Sequence, residues 1–137
     1  MAQIEFTSAK FLPVLPEDCQ VNPGAYGFEL AWWLAQTLVK SGVVTSYPIG
    51  EDWGWLIEYR EGDAEFMIGC GSQSDPGDGD GGQPVTWSVF VRQVRSLKQR
   101  LQGRSAPAIA AIAARLTAAI VAALGAEGIA VDVDELT

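Results

Sequence analysis

Apolar positions along this chain change period several times, and each change marks an element. Ile4 and Phe6 stand two apart in residues 3–11, the spacing of a strand, and Pro13 and Pro16 close it. Asn22-Pro23 is a helix-start signal, because Asn can cap free N–H groups and Pro suits the first turn. A helix is predicted from there to about Lys40, with Gly42 as its stop. Residues 45–47 read as a short strand before Pro48 and Gly50. Between 53 and 59 the large residues alternate. This sets Trp53, Trp55, Ile57 and Tyr59 on one face, and Asp52, Gly54, Leu56, Glu58 and Arg60 on the other. Glu61-Gly62-Asp63 is a tight turn, and 65–70 returns as the second arm of a hairpin. The Gly/Asp-rich stretch 72–83 reads as a flexible loop. Val85, Trp87, Val89 and Val91 then alternate again.

From Val94 the period becomes helical. Val94, Leu97, Lys98 and Leu101 predict a short basic helix over 94–102, ended by Gly103. Ser105 caps a long alanine-rich helix with Pro107 in its first turn and Gly125 at its exit, and 129–133 forms a last strand. The order β-α-β-β-β-α-α-β predicts a single α+β domain over 1–137. It has a mainly antiparallel sheet of about five strands, with two to three helices packed on one face. The last strand has two available neighbours, the first strand and the hairpin.

The helical faces add detail. On the first helix Leu30, Ala31, Leu34, Ala35, Leu38 and Val39 form the apolar side, and Glu29, Gln36 and Lys40 the polar stripe. Trp32 lies in line with Phe28, Ala35 and Val39 and is expected to reach the core. Trp33 falls within the polar stripe, where it is either an exposed binding residue or is covered by the segment around Pro13 and Pro16. On the long helix Ile109, Ile112, Leu116, Ile120 and Leu124 form a core stripe. The opposite side carries Ala111, Ala114, Ala118, Val121 and Ala122, with Arg115 the only charge between Pro107 and Ala126. Such a face is either covered by another element or meets a partner. Alanine's helix propensity accounts for part of the pattern.

Composition narrows the chemistry. In 137 residues, 48% are apolar and the net charge is −8, which suits a folded acidic protein and disfavours nucleic acid or an anionic membrane as partner. Histidine is absent, which removes His-based triads, His-ligated zinc and the usual proton shuttle near neutral pH. Cys19 and Cys70 are isolated, so buried free thiols are expected, with a disulfide between them left open. The first residues lack the pattern of a signal peptide, and the alanine-rich run is a poor membrane span, so a cytoplasmic location is expected. Arg92, Arg95, Lys98, Arg100 and Arg104 form a basic stretch without interleaved aromatics, read as a solvated helix face. Residues 75–82 hold clustered aspartates and glycines. Counted from Asp78 the spacing fails the calcium-loop pattern, with Gln83 at the sixth position and Val89 at the twelfth. No metal or cofactor is expected.

The densest meeting of acid and aromatic is Glu51-Asp52-Trp53-Gly54-Trp55. Adjacent carboxylates beside tryptophans can raise one another's pKa, but strand alternation sends neighbours to opposite faces, so no catalytic residue is assigned. Gly54 marks a bulge or a close approach of another backbone. In size, acidity and layout the chain is similar to small bacterial immunity and inhibitor proteins, a general likeness that covers no motif. The expected function is that of a non-enzymatic protein-binding protein for a basic partner, using Glu29, Trp33, Gln36, Glu51 and Asp52. On that basis Trp33→Ala should weaken partner binding while leaving the melting temperature nearly unchanged. The alternative is a homo-oligomer, dimeric in its simplest form, joined through the alanine face of residues 105–124 at Ala111, Ala114, Ala118 and Val121. A third reading, a carboxylate enzyme or small-ligand binder, requires a cavity where Asp52, Glu58 or Tyr59 converge.

Overall fold

Four strands with alternating burial supply most of the apolar surface, and pairing them antiparallel makes that surface continuous. The computed structural model describes residues 1–13, 19, 26–73, 82–94 and 106–135. Its elements are β1 (Ala2–Ser8), α1 (Phe28–Lys40), β2 (Ile49–Glu51), β3 (Gly54–Glu61), β4 (Ala64–Ser72), β5 (Val85–Val94), α2 (Ala106–Ala126) and β6 (Asp132–Glu135). They form an α+β fold with one six-stranded sheet in the order β2-β3-β4-β5-β1-β6, and every pairing is antiparallel.

Register aligns the apolar positions across the strands. Ile57 faces Ile68, which faces Val91, and Cys70 faces Val89, which faces Ile4. Together with Phe6, Phe66, Val85 and Trp87 these residues are buried, and the two helices cover them. Helix α1 lies on β3 and β4, helix α2 on β5 and β1, and the helices touch each other. Ile109, Ile112, Leu116, Ile120 and Leu124 are all buried. Helix α2 is long and apolar enough to cross a membrane by length and composition, but here that stripe packs on the sheet. Among the described residues no helix lies over the other sheet face.

Three expectations change in detail. Residues 45–47 are not a strand; the short edge strand is Ile49–Glu51 instead, and the sheet has six strands where the predicted element order has about five. Helix α1 begins at Phe28, later than Asn22-Pro23 suggests. Its preceding residue Gly27 has φ +151°, outside helical space, and a Cβ there would overlap the Cys70 carbonyl oxygen. The last strand begins at Asp132 and pairs with β1 rather than with the hairpin. The hairpin itself is as expected: Glu61 faces Ala64 across Gly62-Asp63, with Gly62 at φ +62°. The Asn22-Pro23 signal, most of the 72–83 loop, most of the 94–102 helix and the Ser105 cap lie outside the described residues.

Candidate functional site

Helix α1 turns Leu30, Ala31, Leu34 and Leu38 to the sheet, and this orientation decides where its two tryptophans go. Trp33 is half-buried. Its ring centroid lies 4.9 Å from that of Phe11, and Lys10 Nζ stands 5.9 Å from it. Trp32 instead stacks on Tyr47, with centroids 5.7 Å apart and planes 27° apart. Trp32 is 38% exposed and Tyr47 77%. Trp32, expected to reach the core, is thus the exposed one, and of the two placements open to Trp33 the covered one is found. Lys10 and Phe11, just ahead of Pro13, lie on the Trp33 side, whereas among the described residues it is the 43–48 connection that lies beside Trp32.

Around the Trp32–Tyr47 stack, exposed Val39 and Val44 extend an apolar patch, and the cleft between them has a volume of about 270 Å³. Of the five residues expected to bind a partner, Gln36 lines this cleft. Glu29 is half-buried in the first turn of α1. Glu51 and Asp52 are exposed further along the same sheet edge, at the end of β2 and in the turn that follows. Trp33 belongs to the packing of α1 against Phe11.

The Glu51–Trp55 motif is split by Gly54. At φ +157° this glycine is buried, and a Cβ would meet the Cys70 carbonyl oxygen at 2.5 Å. The close approach of another backbone is thus what the position requires. Strand alternation starts only at Gly54, so Trp53 does not share the face of Trp55, Ile57 and Tyr59. Trp55 packs against Phe28 at 5.1 Å on the helix side. Trp53 lies on the open face, 40% exposed and tilted against Phe90 with centroids 4.9 Å apart. Phe90 occupies the space a side chain at Gly69 would fill, and Arg92 Cζ stands 4.9 Å from the Phe90 ring. These groups border a cleft of about 280 Å³ that also takes in Gly71, Ser72 and Ser88. The sequence missed this grouping because Phe90 and Arg92 are distant from Trp53 along the chain. The pattern Gly69-x-Gly71 opposite Ser88-x-Phe90 was the available signal.

At the other end of the hairpin, Tyr59 Oη donates to Glu61 Oε1 at 2.9 Å and Arg115 pairs with Glu61 Oε2 at 2.7 Å. Burial, then the hydrogen bond to Glu61, raises the Tyr59 pKa, and the contact with Glu61 raises that of Arg115. Glu58 and Tyr59 border a small cleft of about 190 Å³ with Arg60, Glu65 and Phe66, but Asp52 does not reach it. On α2 the side chains of Ala111, Ala114 and Ala118 are exposed, and Val121 is half-buried. The thiols are free: Cys70 is buried and Cys19, contrary to expectation, is exposed. Among the described residues no three His, Cys, Asp or Glu side chains converge to hold a metal ion. No family model, characterised protein or solved structure matches the chain.

Proposed function

We propose that this chain is a non-enzymatic protein-binding protein that docks a basic partner on the outer side of α1 and the adjoining sheet edge. The observation that carries this is the Trp32–Tyr47 stack, two large aromatics held in contact and left in solvent. Contiguous exposed apolar surface of this kind is uncommon on monomers, and tryptophan and tyrosine are enriched among residues that dominate binding. Stacking also fixes both rings before a partner arrives, which lowers the ordering cost of association. The patch supplies the desolvated centre. Gln36 supplies a polar contact within it, while Glu51, Asp52 and the net charge of −8 steer a basic surface toward it. Action as an inhibitor or immunity-type protein is one form of this role.

A photo-crosslinking residue placed at position 47, expressed in the native host, should capture one discrete protein. Trp32→Ala should weaken that complex by about 30-fold or more. An equal yield of the same product from a crosslinker placed at Thr7, on the open sheet face, would exclude this patch.

One observation favours a second reading, self-association through α2. Its only charge, Arg115, is tied to Glu61, so Ala111, Ala114 and Ala118 present an exposed face without charge of its own. Sedimentation at high concentration separates the two, since a strict monomer excludes the second.

A further inference from the structure

The cleft on the open sheet face differs in sign and shape from the rest of this acidic molecule. Its wall is aromatic, with the Trp53 and Phe90 rings in contact. Its floor is Gly71, where a Cβ would come within 3.3 Å of the Trp53 carbonyl oxygen. At its end the Arg92 guanidinium rests on the Phe90 face, and among the described residues no carboxylate pairs with it. Lys10, Arg60 and Arg115 are by contrast each held by a glutamate.

Glu65, diagonal to Arg92 across β4 and β5, is engaged by Arg60, and Glu5 on β1 is engaged as well. Glu5 faces Ser88 across β1 and β5, and its Oε1 accepts from Gln3 Nε2 at 3.0 Å and Gln73 Nε2 at 3.3 Å. Gln3 Nε2 also donates to Ser88 Oγ at 3.0 Å, so a lone pair of that hydroxyl is occupied and its proton remains to be donated. The cleft therefore offers hydrogen-bond donors beside an aromatic wall. A guanidinium placed 4.9 Å over a ring is positioned beside the cleft, and its planar fork can meet a carboxylate through two parallel N–H groups.

From these contacts we infer that the cleft bounded by Trp53, Gly71, Ser88, Phe90 and Arg92 binds a small planar aromatic carboxylate. The ring lies against Trp53 and Phe90, and the carboxylate is taken by Arg92 and Ser88. At about 280 Å³ the space suits a one- or two-ring molecule rather than a drug-sized one. This site is separate from the Trp32–Tyr47 patch and does not depend on the partner-binding proposal.

The test uses the full chain and 2-naphthoate, with 2-naphthamide as its neutral counterpart, followed by amide NMR and calorimetry. Naphthoate should bind saturably with a dissociation constant of about 1 mM or tighter, shifting the amides of Gly71, Ser88, Phe90 and Arg92. Naphthamide should bind roughly tenfold more weakly, and Arg92→Gln, a change at an exposed position, should bring naphthoate down to that level. Arg92→Lys should recover part of the affinity, because it restores charge without the planar fork. Equal affinity for acid and amide would overturn the assignment. So would shifts centred on Trp32 and Tyr47, or the absence of saturation at about 10 mM ligand.

Discussion

Cys70 is the residue around which backbone and solvent both have to make room. Its carbonyl oxygen lies where Gly27 and Gly54 would carry a Cβ, so it is packed by two glycines at φ +151° and +157°. Gly54→Ala should destabilise the protein by about 2 kcal/mol or more, read by urea unfolding, because the strained dihedral and the overlap add. Its thiol is fully buried, and in the native protein Cys19 alone should react with an aromatic disulfide reagent; both thiols should react in denaturant. The tryptophans of α1 offer a sharper comparison. Trp33, packed on Phe11 beneath Lys10, should cost about 1–3 kcal/mol on truncation to alanine, whereas Trp32→Ala should change stability by less than about 1 kcal/mol. A Trp33→Ala protein as stable as the parent would return that residue to the list of exposed binding positions.

Among the elements, the sheet edges and the open face show how pattern becomes surface. Strand β6 is Asp-Val-Asp-Glu with all four residues exposed, and like charges on an edge oppose further strand addition. At the other edge β2 is only three residues long. Strand β4 is different: Gly69 carries the Phe90 ring in place of its own side chain. Gly69→Ala should therefore push Phe90 off the sheet and separate it from Arg92, costing about 1–3 kcal/mol and changing the near-UV signal of the Trp53–Phe90 pair. On α2, Ala118→Glu places a charge in the middle of the exposed face. A monomer should tolerate it within about 0.5 kcal/mol, and a sedimentation profile altered by it would establish self-association through this helix.

For the whole molecule, the titration of buried neutral groups sets the alkaline limit. Burial raises the Cys70 pKa far above its ordinary value, and Tyr59 is raised by burial and by its bond to Glu61. In both cases the folded state opposes ionisation. The stability they contribute is complete below the unfolded pKa, about 8.5 for a thiol and about 10 for a phenol, and is lost as pH rises through the folded value. Unfolding free energy should fall above about pH 8.5, by at most about 1.4 kcal/mol per pH unit from the thiol. Cys70→Ala should flatten that slope while costing about 1 kcal/mol at neutral pH.

Period alone made much of the architecture legible. Strand alternation at Val85, Trp87, Val89 and Val91, the turn at Gly62-Asp63 and the Ile/Leu stripe of α2 each depend on neighbours a few residues away, and all are found in the fold. The candidate sites depend on distant neighbours and were not legible in the same way. Whether Trp32 or Trp33 is covered depends on Phe11, from beyond the helix, and the face taken by Trp53 depends on the carbonyl of Cys70 across the sheet. Arg92 meets the Trp53–Phe90 pair only because β3, β4 and β5 are adjacent. Which residues bury, and in what period, can be read along the chain because both follow from local geometry and hydrophobicity. Tertiary structure alone decided which aromatics remain in solvent and what stands beside them, because close packing is settled between segments far apart in the chain.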